Sequence, residues 1–148
     1  MRMFPLLMLS AAACWAEGPF ATWKMNPARS TFIGGPYPKS LTVRIEPHAK
    51  GEVFTLDEIG ADGRATTSST LLYLDGKPRG FGETDCSGTQ SSRRLDDRTV
   101  EILRDCGARR SVRFVRRLAA QPKELVLDIT EQQPERRRLE WHLVLEKQ

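Results

Sequence analysis

The strongest constraint on the fold is an alternation of apolar and polar residues with a period of two, which runs from Leu41 almost to the C-terminus. Successive side chains of a β-strand point to opposite faces, so each alternating run predicts a strand with one buried face. The last run is the clearest, because apolar side chains occupy every second position from Leu139 to Leu145. The predicted strands are 41–45, 53–59, 66–74, a short strand within 80–88, 90–95, 98–104, 111–118, 124–130 and 139–146.

Tight turns join these runs and leave no connection long enough to hold a helix. The stretch Ala61-Asp62-Gly63 is typical of a hairpin turn, since Asp-Gly accepts the positive φ angles that such turns require. Sequential hairpins form a meander, and a meander of about eight twisted strands removes its exposed edges by closing on itself. We therefore predict an all-β, antiparallel up-and-down meander that closes into a barrel. A two-sheet sandwich is the alternative, but its connections are usually longer.

The first 16 residues have the layout of a secretory signal peptide. Arg2 precedes an apolar run from Phe4 to Leu9, and the small residues that follow end at Ala16. The run is too short to cross a bilayer as a helix, and no later stretch approaches the required length. We predict cleavage after Ala16 and a secreted or periplasmic mature chain. Lipid attachment at Cys14, after a shorter leader, is the alternative.

These signals divide the chain into three parts. Residues 1–16 are the predicted signal peptide, residues 17–40 form an N-terminal segment with a Pro-rich linker, and residues 41–148 form one β-barrel domain. A mature chain of this size suits a single domain with a modest core.

Two cysteines, Cys86 and Cys106, remain after removal of the leader. In an oxidising compartment an even pair favours a disulfide, whereas a metal site needs more Cys or His residues at tight spacing. Closing a loop of this length stabilises the fold by roughly 3 kcal/mol in the chain-entropy model. We predict a Cys86–Cys106 disulfide, with two free buried thiols as the alternative.

Arginines are frequent from Arg93 to Arg138, and the chain has a formal net charge of +4. Acidic residues are interspersed among them, whereas a nucleic-acid site favours an uninterrupted basic stripe with stacking aromatic residues. The pattern predicts a solvated β-surface with charges paired across strands, and no nucleic-acid partner.

No motif in the sequence indicates catalysis or cofactor binding. His142 follows Glu140 by two residues on the outer face of the last predicted strand, where a cross-strand salt bridge is the simplest interpretation. His48 lies at a turn, and no serine lies in a Gly-x-Ser-x-Gly nucleophile elbow. We predict no enzyme activity, no cofactor and no metal site.

The large side chains expected to line the barrel interior are Trp23, Tyr73, Phe114 and Trp141. An eight-stranded barrel is either filled by such residues or just wide enough for one small apolar ligand. The second alternative predicts a carrier of a small hydrophobic molecule, with these four side chains binding the ligand. The first predicts a packed barrel that serves as a structural module or contacts an envelope protein partner.

The segment from Ala21 to Phe32 and the linker from Pro36 to Ser40 resemble small secreted, lipocalin-like bacterial proteins of an uncharacterised acidobacterial type. Those proteins start with a Gly-Thr-Trp-Lys-Leu-Asn-x-x-Lys-Ser pattern. The resemblance implies a lipocalin-like barrel and carries no established function. In lipocalins the tryptophan of the first strand lies beneath a basic side chain from a late strand, so the resemblance implies that Arg137 or Arg138 stacks on Trp23.

Overall fold

The computed structural model describes residues 18–121, 123–135 and 138–148. The predicted signal peptide, including Cys14, and Arg137 lie outside the described residues. A short 3-10 helix, Pro27–Arg29, follows the first strand. The described strands are β1 (Thr22–Met25), β2 (Thr31–Ile33), β3 (Ser40–His48), β4 (Gly51–Ile59), β5 (Ala65–Leu72), β6 (Arg79–Glu83), β7 (Cys86–Asp96), β8 (Thr99–Asp105), β9 (Ser111–Leu118), β10 (Glu124–Gln132) and β11 (Leu139–Lys147).

These strands form one antiparallel sheet in the order β5-β4-β3-β1-β11-β10-β9-β8-β7-β6, with β2 paired to β11 beside this path. Strand β1 pairs with both β3 and β11, which joins the start of the chain to its end. The two ends of the path, β5 and β6, are linked by side-chain hydrogen bonds: Ser68 donates to Glu83, and Gln90 of β7 donates to Thr70. The sheet is therefore a nearly closed barrel, which confirms the predicted fold class.

The number of described strands is 11 rather than the predicted eight or so. Strands β1 and β2 have only 4 and 3 residues, too few for alternation to be recognised in the sequence. Both belong to the segment 17–40, so the barrel begins earlier than the boundary predicted at residue 41. The predicted turn at Asp62-Gly63 is present, with Gly63 at φ 82°.

Half of the barrel interior is filled with large apolar side chains, and we call it the packed half. Trp23 and Val43 face each other across β1 and β3, and Leu125 faces Leu145 across β10 and β11. The packed half comprises Trp23, Val43, Ile45, Leu125, Leu127, Leu143 and Leu145, each at most 1% exposed. None of these residues lines the cavity in the rest of the interior.

The outer side of β11 is partly covered by the residues around the 3-10 helix. Val144 points outward, as the alternation requires, yet it is only 6% exposed. The backbone N–H of Asn26 donates to the Val144 carbonyl at 2.8 Å, and the Val144 N–H donates to Ser30 Oγ at 3.0 Å. The N-terminal segment thus shields one stretch of the outer wall. Within the described part of the chain, no helix has the length and apolar character needed to span a membrane.

Candidate functional site

The other half of the interior holds a cavity of about 520 Å³ that opens at one end of the barrel. Its floor consists of Phe54 from β4 and Phe114 from β9, whose rings meet edge to face with centroids 6.4 Å apart. Both side chains are almost fully buried. Leu41, Ile129 and Trp141 contribute apolar wall above this floor. The arrangement offers an apolar floor and wall, and polar side chains line the rest of the cavity.

An ion pair lies directly beneath the floor. Glu52 and Arg116 occupy the next inward-facing positions of β4 and β9, and they are 1% and 2% exposed. Arg116 Nη2 lies 2.6 Å from Glu52 Oε2, and Arg94 approaches the other Glu52 oxygen at 3.4 Å. Burial lowers the pKa of Arg116, and the nearby Glu52 carboxylate opposes that effect. This pair joins opposite walls of the barrel one inward position below the floor residues.

The four aromatic residues predicted to line the interior are in three different places. Phe114 and Trp141 line the cavity. Trp23 belongs to the packed half, where its indole N–H donates to the Pro19 carbonyl at 2.9 Å, because β1 pairs with the lower part of β11. Tyr73 lies in a separate pocket of about 210 Å³ near the β5–β6 gap. Its ring centroid is 3.7 Å from the guanidinium carbon of Arg79.

Arg104 is the most unusual polar residue of the cavity wall. It points inward from β8 and is 9% exposed. Its Nε donates to Gln90 Oε1 at 2.9 Å, and its guanidinium carbon lies 4.3 Å and 4.8 Å from the ring centroids of Phe81 and Phe114. Burial lowers the pKa of Arg104 and the charge of Glu83 raises it. An arginine stays protonated in proteins, so this group brings a positive charge into the cavity.

The partners of Arg104 leave most of its donors unused. Among the described residues, no carboxylate lies within ion-pair distance of the Arg104 guanidinium. The two terminal nitrogens of Arg104 donate no hydrogen bond to any described residue. A guanidinium has five N–H donors in a planar fork, and only the Nε donor is engaged here. The four remaining donors have no hydrogen-bond partner among the described residues.

Carboxylates also lie in the cavity lining and at its rim. Glu83 accepts the Ser68 hydroxyl, and Glu131 pairs with Arg110. Glu58 is half-buried, and burial raises the pKa of its carboxyl group. Asp57, its neighbour, faces outward and accepts the Thr67 hydroxyl at 2.6 Å.

The predicted disulfide is formed and braces one side of the cavity mouth. Cys86 at the start of β7 is bonded to Cys106, with the two Cα atoms 4.7 Å apart, and Cys86 lines the cavity. Arg110 extends the brace, since it donates to the Asp85 carbonyl and pairs with Glu131 of β10. The turns β6–β7 and β8–β9 and the end of β10 are thereby connected.

His142 makes the cross-strand contact that the sequence predicted, with Asp128 of the neighbouring strand β10, while Glu140 pairs with Arg138. The stacking of a late arginine on Trp23 needs correction. Arg138 does not stack on Trp23, because the residue of β11 that faces Trp23 is Lys147, at the opposite end of the strand. No cluster of three or more His, Cys, Asp or Glu residues in the described ranges is arranged to hold a metal ion.

Sequence reasoning did not single out Phe54, Glu58 or Arg104 as site residues. The signal for Arg104 was present, since Val100, Ile102 and Arg104 share one face of a period-two strand. A charged residue at an inward position of an alternating run marks either a buried ion pair or a polar group of a cavity.

Comparison with known proteins shows likeness in structure only. No protein-family model matches the chain, and no curated protein sequence matches it. A Schistosoma mansoni fatty acid binding protein in complex with arachidonic acid has a similar structure, with a TM-score of 0.52 and 8% identity over 87% of this chain and 95% of that one. A zebrafish ileal bile acid-binding protein complexed with cholic acid is similar at a TM-score of 0.52 and 11% identity, over 87% and 98% of the two chains. At these identities the likeness establishes the fold: a lipocalin-like β-barrel.

Proposed function

We propose that this protein binds one small hydrophobic molecule in the cavity above Phe54 and Phe114. The observation that carries the proposal is the cavity itself, about 520 Å³ in a barrel whose other half is closely filled. Pockets for small molecules are usually about 300–1,000 Å³, mostly apolar, with a few convergent polar groups. This cavity has that size, with an apolar floor and a rim of polar and charged side chains.

The structural neighbours support the proposal. The Schistosoma mansoni protein is in complex with arachidonic acid and the zebrafish protein with cholic acid, so barrels of this fold accept apolar molecules. The present chain covers nearly the whole length of both proteins. The residues of the packed half fit the packed barrel that the sequence left open, whereas the cavity above Phe54 and Phe114 supports the ligand-binding alternative.

The site of action that we propose is outside the cytoplasm. The sequence predicts a signal peptide over residues 1–16, and the disulfide Cys86–Cys106 suits an oxidising compartment. Binding in that compartment makes the protein a carrier or scavenger of apolar molecules in the periplasm or the medium.

A pair of leucine substitutions tests the binding site. Leu56→Trp adds a large side chain inside the cavity, whereas Leu103→Trp adds the same side chain on the exposed outer face of β8. The uncharged probe N-phenyl-1-naphthylamine is titrated into each variant and followed by its fluorescence. We expect Leu56→Trp to lose about tenfold or more in affinity, since the ligand space is filled, and Leu103→Trp to bind like the wild type. Equal binding by the two variants would exclude the cavity as the site.

A further inference from the structure

We propose that the ligand is a compact amphipathic anion whose negatively charged group binds Arg104 while its apolar body fills the space above Phe54 and Phe114. This inference rests on the proposed function, because it names the ligand class of the same cavity. Arg104 carries it, as a buried guanidinium with unused donors that line the cavity.

The surroundings of Arg104 hold its guanidinium ready for an anion. The Gln90 side chain fixes Nε, and the rings of Phe81 and Phe114 contact the guanidinium, so that both terminal nitrogens keep a defined orientation. A carboxylate or sulfonate accepts two parallel N–H bonds from such a fork. A buried charge is costly without a partner, and an anionic ligand supplies that partner.

The other charged groups of the lining favour a single negative charge on the ligand. Arg110 already pairs with Glu131 and donates to the Asp85 carbonyl, so it is not available to bind a negative charge of the ligand as Arg104 is. Glu58 and Glu83 also line the cavity. A second negative charge on the ligand would meet these carboxylates without a cation of its own, which selects a monoanion with an apolar body.

The depth of the cavity favours a compact ligand over an extended chain. Phe114 lies three residues from the start of β9 at Ser111, which corresponds to about 10 Å of strand. Below Phe114 the Glu52–Arg116 pair closes the interior. Arg104 faces Val112, between the floor and the mouth, so the charged group of the ligand lies nearer the mouth than its apolar body.

Two probes with the same ring skeleton test the charge preference. 1-Anilinonaphthalene-8-sulfonate and N-phenyl-1-naphthylamine differ by one sulfonate group, and both report binding by fluorescence. The wild type is expected to bind the sulfonate about tenfold or more tightly than the neutral probe. Arg104→Gln is expected to bring the ratio close to one, because only the sulfonate probe loses a charged partner. Arg113→Gln, on the exposed outer face, is expected to keep the wild-type ratio.

Each other outcome has a defined meaning. Equal affinity of the wild type for the two probes, or a ratio that survives Arg104→Gln, overturns the role of Arg104 while the binding function stands. Failure of the wild type to bind either probe removes the proposed function itself. The far-ultraviolet circular dichroism spectrum and the urea unfolding midpoint serve as the folding control for Arg104→Gln.

A competition experiment with the wild type alone covers the case in which Arg104→Gln does not fold. Cholate and its methyl ester, and palmitate and its methyl ester, each displace the neutral probe. We expect cholate to compete at least about tenfold better than its ester and better than palmitate. Equal competition by cholate and its ester overturns the anion preference, and stronger competition by palmitate overturns the compact ligand class.

Discussion

Glu52 and Arg116, which are 64 residues apart in the chain, form a buried ion pair across the barrel at 2.6 Å. The pair ties β4 to β9, two strands that are not neighbours in the sheet. Each partner lies two residues from a floor residue on the same strand, Glu52 from Phe54 and Arg116 from Phe114, so the pair forms the layer beneath the floor.

Removal of one partner of this pair is expected to destabilise the fold strongly. Glu52→Leu leaves the Arg116 guanidinium buried without a carboxylate, which costs about 3–5 kcal/mol in unfolding free energy. Glu46→Leu, which removes an exposed partner of Arg44, is the matched control and is expected to cost at most about 1 kcal/mol. Equilibrium unfolding in urea measures both. The double variant Glu52→Leu/Arg116→Met is expected to regain most of the loss, and equal effects of the two leucine variants would contradict this account.

The Glu58 carboxyl group is expected to make the stability depend on pH. Burial raises its folded-state pKa, so the folded protein binds the proton more tightly than the unfolded chain. The Glu58 carboxyl group stabilises the folded state below the pKa of the unfolded chain, about 4.3. This stabilisation is lost as the pH rises through the pKa of the folded state. Glu58→Gln is therefore expected to raise the melting temperature at pH 8 and to leave it unchanged at pH 3.5. A gain of equal size at both pH values would show that charge is not the cause.

The disulfide is expected to contribute a substantial part of the stability. It closes a loop with a sequence separation of 20 residues, and in the chain-entropy model such a loop is worth about 3 kcal/mol. The double variant Cys86→Ser/Cys106→Ser is expected to lose that amount in urea unfolding, and a reducing agent is expected to act on the wild type in the same way. An unchanged unfolding midpoint under reducing conditions would argue against a bridged pair.

Gly88 is expected to tolerate no side chain. A Cβ atom at this position would lie 2.0 Å from the Asp105 carbonyl oxygen, so β7 and β8 would have to separate next to the disulfide. Gly88→Ala is expected to lower the unfolding free energy by about 1–3 kcal/mol. Gly80→Ala is the control, since nothing lies within 4 Å of its Cβ position. A stability loss of similar size in both variants would indicate an effect of the strand backbone instead of the close contact.

The alternation in the sequence predicted which side chains point inward, because each strand exposes its two faces to different surroundings. Leu143 and Leu145 are buried as predicted, and the same rule places Arg104 and Arg116 inside. What each inward charge contacts depends on strands far apart in the chain. The Glu52–Arg116 pair could not be predicted for that reason, since local periodicity contains no information on which strands face each other across a barrel.

The short elements of the N-terminal segment were also beyond sequence reasoning. Strands β1 and β2 are held by pairing with β11 at the far end of the chain, and no local pattern indicates such pairing. The position of Trp23 in the barrel follows from the pairing of β1, in which Trp23 faces Val43 of β3 on one side and Lys147 of β11 on the other. A division of the interior into a filled and an open half emerges only from the assembled barrel.

Ligand binding in the cavity is tested most directly by methyl NMR of the wild-type protein during titration with N-phenyl-1-naphthylamine. We expect saturable shifts of the cavity methyl groups of Leu41, Ile129 and Leu139, with little change at Leu143 and Leu145 in the packed half. Absence of saturable shifts, or shifts centred on the exposed Leu103 of the outer face, would contradict binding in the cavity.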